Sequence, residues 1–151
     1  MPAMRILSFL RVQCCRSLFS VGALLAAALL VAAPAAYAVV PSAAAPVLRM
    51  DGLGKGAVPL DGAWQFHLGD DPAWAQPAAD DATGHNGWAQ ITADGPWGTQ
   101  GHADYTGYAW YRRHIDITMA PGSPASLAMM IAAIDDIYEL YWNGQSMGRF
   151  G

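Results

Sequence analysis

An all-β fold is the class this sequence predicts, and three observations predict it. Residues 108–117, YAWYRRHIDI, hold nothing that breaks an extended chain and are rich in aromatic and β-branched types. Residues 137–142, IYELYW, repeat that composition and run into Asn143-Gly144, the strongest short hairpin signal, because both central residues of a type I′ turn need positive φ. Beyond the N-terminal apolar run, no stretch carries helical periodicity, and short apolar runs alternate with Gly/Pro loops.

The chain has 151 residues, a one-domain length, and its 54% hydrophobic content is concentrated at the start. Arg5, Arg11 and Arg16 precede a stretch, 17–48, with no charged side chain. Residues 18–33 are apolar or small apart from Ser20, and Pro34 and Ala36-Tyr37-Ala38 follow. A positive start, an apolar centre and a small-x-small ending predict a signal-peptide helix over 1–38, cleaved after Ala38. The competing reading is an uncleaved anchor, since 18–36 approaches the roughly 20 residues of a span. Either reading puts the remainder outside the cytoplasm, periplasmic or secreted, touching a membrane only through an uncleaved leader.

Loss of 1–38 keeps all twelve acidic residues and five of the eight Lys and Arg, a formal charge of −7. That argues against nucleic acid and anionic lipid as partners. Cys14 and Cys15 both fall in the leader, so the mature part has no disulfide or thiolate chemistry.

Taken in order, 39–58 is rich in Ala, Pro and Gly without periodicity and reads as a linker. Residues 59–68 form the first expected strand, with Leu60, Trp64, Phe66 and Leu68 on one parity. Residues 69–87 read as a loop pinned by Trp74 and Trp88, 88–93 as a short strand, and 94–106 as a second Gly-rich loop with Trp97, His102 and Tyr105. On the main strand, alternation places Ala109, Tyr111, Arg113, Ile115 and Ile117 on a core face. It places Tyr108, Trp110, Arg112, His114 and Asp116 on a face turned to solvent or a groove. Residues 119–126 are a Pro/Gly/Ser turn. Residues 127–134, apolar on both faces, are expected to be a buried central strand. In the final hairpin, Tyr138, Leu140 and Trp142 share one face and Ile137, Glu139 and Tyr141 the other.

The chemistry-bearing candidates are sparse. Asp135-Asp136 is a carboxylate pair, but neighbours on a strand point to opposite faces, so a solvated turn is the better reading. Asp70-Asp71 and Asp80-Asp81 suit Asx turns and lack the ligand spacing of a calcium loop. His67, His85, His102 and His114 include no closely spaced ligand pair for zinc, and no nucleophile elbow is present. No metal, cofactor or catalytic residue is expected. The aromatics on strands, Trp64, Trp110 and Trp142, read as core. Those on the second loop, Trp97 and Tyr105 with His102, suit either a pin on the core or a sugar-stacking platform, with Asp104 or Arg112 supplying polar contacts. The candidate ligand-binding set is therefore Trp97, His102, Asp104, Tyr105 and Arg112.

The order Leu60-Asp61-Gly62-Ala63-Trp64-Gln65-Phe66, Gly69-Asp70-Asp71-Pro72-Ala73-Trp74-Ala75, Gly107-Tyr108-Ala109-Trp110-Tyr111-Arg112-Arg113, Asn143-Gly144 and Gly148 resembles the galactose-binding-like jelly-roll domain. That β-sandwich is the sugar-binding domain of glycoside hydrolase family 2. It is similar also to the periplasmic input domain of bacterial membrane signalling proteins with phosphatase, histidine kinase or diguanylate cyclase outputs. The resemblance covers about 59–151 and implies a partial jelly roll there. Its catalytic and output domains have no counterpart in the chain, so no catalytic residue is carried over and no enzyme activity of its own is expected. Two functions follow from the resemblance: a non-catalytic, extracytoplasmic ligand-binding or sensor input module, possible ligands including carbohydrates; or the sugar-binding accessory domain of a secreted family 2 glycosidase. A jelly roll has about eight strands. Four or five are visible before Gly151, so the domain is expected to be truncated and to need a C-terminal remainder as its partner.

Overall fold

The computed structural model describes residues 4–14, 43–54, 56–123, 126–131, 134 and 137–151, with 4–14 described by backbone path and pairing alone. Among the described residues there are seven strands and two short 3-10 turns; the strands are β1 (Met4–Cys14), β2 (Val47–Leu53), β3 (Ala63–Leu68), β4 (Ala89–Thr92), β5 (Gly107–Met119), β6 (Ile137–Trp142) and β7 (Gln145–Phe150). Among the described residues all seven belong to one sheet, ordered β4-β3-β5-β1-β6-β7, with β2 also on β5. The all-β expectation holds.

β5 is the axis. Along one edge it pairs antiparallel with β3, from Leu68↔Ala109 to Gln65↔Arg112, and then parallel with β2, from Val47↔His114 to Leu53↔Met119. Along the other it pairs antiparallel with β1 from Cys14↔Gly107 to Met4↔Ile117. β1 then pairs antiparallel with β6, from Ser8↔Trp142 to Gln13↔Ile137. The β6–β7 hairpin turns at Asn143 (φ 50°) and Gly144 (φ 82°), the positive-φ pair its sequence calls for.

The alternation in β5 is borne out on the core face. Ala109 and Tyr111 pack with Trp64, Phe66, Ile91 and Trp97, while Ile115 and Ile117 pack with Met50. The opposite face differs from expectation: it is neither solvent-facing nor open. Trp110 and Arg112 are buried there, because the 69–88 loop folds over them and packs Ala75 and Trp88 against Trp110. A strand whose second face carries Trp and Arg beside a loop bearing two further Trp residues buries both faces.

Three further readings are corrected. The stretch read as a linker contains β2, whose Met50 is buried against Ile115 and Ile117; its apolar residues needed the free edge of β5 to become a strand. Residues 126–131 are not a buried central strand but an irregular, largely exposed segment, with Met130 87% exposed. Both edges of β5 are already occupied by β1, β2 and β3, so no central position remains for it. The leader is not helical over Met4–Cys14, where it is strand β1; its apolar run lies outside the described residues, as does Asp135-Asp136. Among the described residues no helix is long and apolar enough to cross a membrane.

Candidate functional site

Each face of the sheet carries one aromatic loop, and each loop is fixed by a different device. On the face of Trp110 and Arg112, the device is ionic. The 69–88 loop opens with a 3-10 turn, Pro72–Ala75, capped by the Asp71 carboxylate, which accepts from the Ala73 N–H at 2.8 Å. That turn aims two carbonyls at β5, and Arg112 Nη1 donates to Trp74 O at 2.6 Å and Gln76 O at 3.2 Å. Arg112 Nε lies 2.8 Å from Asp81 Oδ2, and His114 Nε2 lies 2.6 Å from the same oxygen. The Gln65 side-chain amide donates to Asp81 O, and its Oε1 accepts from the Thr83 hydroxyl at 3.1 Å. The Arg112 guanidinium sits 5.5 Å from the Trp88 ring centroid, a cation–π contact sheltered from water.

Burial alone would raise the Asp81 carboxyl. The His114 hydrogen bond and the positive charges of Arg112 and His114 outweigh it and hold Asp81 below the ordinary carboxylate value. Desolvation lowers Arg112, with Asp81 opposing the shift. An Asp–His pair is also the rear half of a hydrolytic relay, but among the described residues no hydroxyl or thiol hydrogen-bonds His114. With Arg112 fully buried and Asp81 only 6% exposed, the cluster acts as a lock that ties the loop to the strand.

On the other face the device is apolar. Pro96 leads into a second 3-10 turn, Trp97–Gln100, which ends at Gly101 in the left-handed conformation. Gln100 clips the loop shut: its Oε1 accepts from Thr92 N–H at 3.0 Å, and its Nε2 donates to Thr92 O at 3.0 Å and Gly95 O at 3.1 Å. Phe66 forms the floor, with ring centroids 5.0 Å from His102, 5.0 Å from Tyr111 and 6.2 Å from Trp97. Trp97 and Tyr105 meet edge to face at 6.2 Å, and the Tyr105 hydroxyl donates to Tyr108 O at 2.7 Å. Burial pushes the Tyr111 phenol up to about 12, so it stays protonated in this core.

Of the five candidate residues, the structure brings Trp97, His102, Asp104 and Tyr105 together in this loop. Trp97 is turned inward and only 8% exposed, His102 and Tyr105 are half-buried, and Asp104 is exposed. Arg112 is separated from them by the sheet and belongs to the lock. Sequence reasoning missed Asp81, His114 and Gln65 as its partners, along with Phe66 as the floor. The legible signal was parity: Arg112 and His114 share a face of one strand, and the facing strand presents Gln65 in register with Arg112.

Among the described residues no group of three or more His, Cys, Asp or Glu is gathered closely enough to hold a metal ion. A shallow open cleft of about 330 Å³ lies along β2 and the turn after it, lined by Arg49, Asp51 and Val58 among others, and includes none of the candidate residues. No model of a known protein family, no curated protein and no solved structure matches the chain.

Proposed function

We propose that this chain is an exported, non-catalytic ligand-binding or sensor input module on a galactose-binding-like jelly-roll plan, and that its ligand is a carbohydrate. One observation supports it above the rest. His102 and Tyr105 stand on a loop braced by the Gln100 clip and packed on Phe66 and Trp97, and exposed Asp104 lies between them in sequence, so a half-exposed imidazole and phenol ring share one loop with a carboxylate. Saccharide recognition uses such a combination, a flat ring for the sugar face and a few aimed polar groups. A rim held rigid before binding also avoids the ordering cost that weakens flexible sites. The resemblance in residues 60–75 and 107–113 supports the same reading.

The test is a saccharide screen on the full chain followed by calorimetry on His102→Ala and Asp104→Ala. Loss of binding by about tenfold or more at an unchanged melting temperature supports the rim, since tenfold corresponds to one good polar contact. Unchanged binding in both variants, or no saccharide bound by the parent, rejects it. Export is tested separately by intact mass of the product from a bacterial host, expected to begin at Val39; a membrane-held product retaining Met1 rejects cleavage.

A further inference from the structure

β1 holds an unusual place: it is the strand nearest the N-terminus, it lies inside the segment read as a leader, and it fills a central slot. β5 and β6 do not pair with each other; β1 pairs antiparallel with both along nearly all their length. The segment is also suited to that slot. Its register sets Ile6, Leu10 and Val12 across from Ile115, Tyr111 and Ala109, the core face of β5, and Leu10 and Val12 across from Leu140 and Tyr138 of β6. On the other parity, Arg5 is in register with Asp116 of β5 and Arg11 with Glu139 of β6. Opposite charges and matched apolar residues directly across a ladder are the pairs that stabilise a sheet.

We propose that the gap between β5 and β6 is a strand-acceptor site and that Met4–Cys14 is its removable occupant. The site takes an extended segment, antiparallel to both neighbours, with apolar residues in register with Ile115, Tyr111 and Ala109 and cations in register with Asp116 and Glu139. Main-chain hydrogen bonds to two strands supply affinity, and the alternating side chains supply selectivity, as in strand addition generally. While the N-terminal segment is attached, the slot is closed in cis. Once the chain is cut beyond residue 14, the occupant is held by non-covalent contacts alone and exchanges with an equivalent strand. The vacancy of the slot in the exported protein rests on the cleavage reading above; the acceptor site itself does not.

The experiment uses the full chain with a specific protease site placed at 36–38. A fluorescent peptide of residues 4–14, with Cys14→Ser, is added before and after cleavage, and its capture is followed by anisotropy. Backbone hydrogen exchange is followed at 107–119 and 137–142. Saturable capture by the cleaved protein alone is expected. A peptide carrying Arg5→Glu and Arg11→Glu should be about tenfold weaker or worse, since it would set glutamates in register with Asp116 and Glu139. Removal of the N-terminal piece should deprotect 107–119 and 137–142, and the added peptide should restore protection. No capture after cleavage, equal capture of the charge-reversed peptide, or exchange indifferent to removal of the piece would each overturn the site. A product that retains Met1–Ala38 in the bacterial host but captures peptide after cutting in vitro overturns cleavage of the leader and leaves the acceptor site standing.

Discussion

At the scale of single residues, the sharpest dependence is on Asp81. It is the carboxylate beside a guanidinium with no exposure, and removing one member of a buried pair leaves the other charged and unpaired. Asp81→Asn should therefore cost about 3–5 kcal/mol by chemical denaturation. A cost near zero would show that the lock does not hold the loop. The same carboxylate sets an acid limb. Its folded value lies below the 3.8 of an unpaired Asp, so the unfolded chain takes up the proton first as pH falls. The stability it contributes is full above about pH 4 and is lost as pH drops through the folded value. Melting temperature against pH should fall more steeply below pH 4 in the parent than in Asp81→Asn. Gly87 is a second sensitive point: φ is +85°, and a Cβ there would sit 2.6 Å from His67 Nε2. Gly87→Ala combines backbone strain with a clash and should lower the melting temperature by several degrees.

At the scale of elements, the two loops are clamps on opposite faces, and they should fail independently. Trp88 is 2% exposed, meets Trp74 at 5.8 Å and lies beneath Arg112. Truncating it removes a large buried ring, at a cost of about 3–5 kcal/mol, and takes away the cation–π partner. Trp88→Ala should speed amide exchange and proteolytic nicking across 69–88 while leaving 95–106 protected, because Gln100 and Phe66 fix the second loop by separate contacts. Equal loosening of both loops would mean that the sheet, not the lock, was the weak element.

At the scale of the whole molecule, β1 joins two halves. On one side lie β2, β3, β4 and β5 with both aromatic loops; on the other is the β6–β7 hairpin. A proline in a central strand removes a ladder N–H and adds a steric clash. Leu10→Pro should therefore raise exchange throughout 137–150 more than a proline at Val47, which starts a strand at the edge of the sheet. Hairpin protection unaffected by Leu10→Pro would show that β6 is held by something other than β1. By the same argument residues 39–151 alone, with two long strand edges uncovered, should melt less cooperatively than the full chain and regain cooperativity when the 4–14 peptide is added; an equally sharp melt without the peptide would contradict that.

Local rules in the sequence alone determined the periods and the turns. The β5 alternation, the parity of Trp64 and Phe66, the Asn143-Gly144 turn and the two loop pins were all legible, because each depends on φ preferences and on the two-residue period of a strand. Tertiary structure decided which strand lies beside which, and that reversed several local readings. Residues 127–131 have a composition fit for a central strand yet stand outside the sheet, since strand position is settled by competition for the edges of β5. Residues 4–14 pair as a strand rather than a helix, since β5 and β6 offer them two edges at once. The Asp81–Arg112–His114 lock was hidden for a related reason. Asp81 lies 33 positions from His114, and only the fold of the 69–88 loop over the second face of β5 brings a carboxylate to a guanidinium that would otherwise have stayed in water.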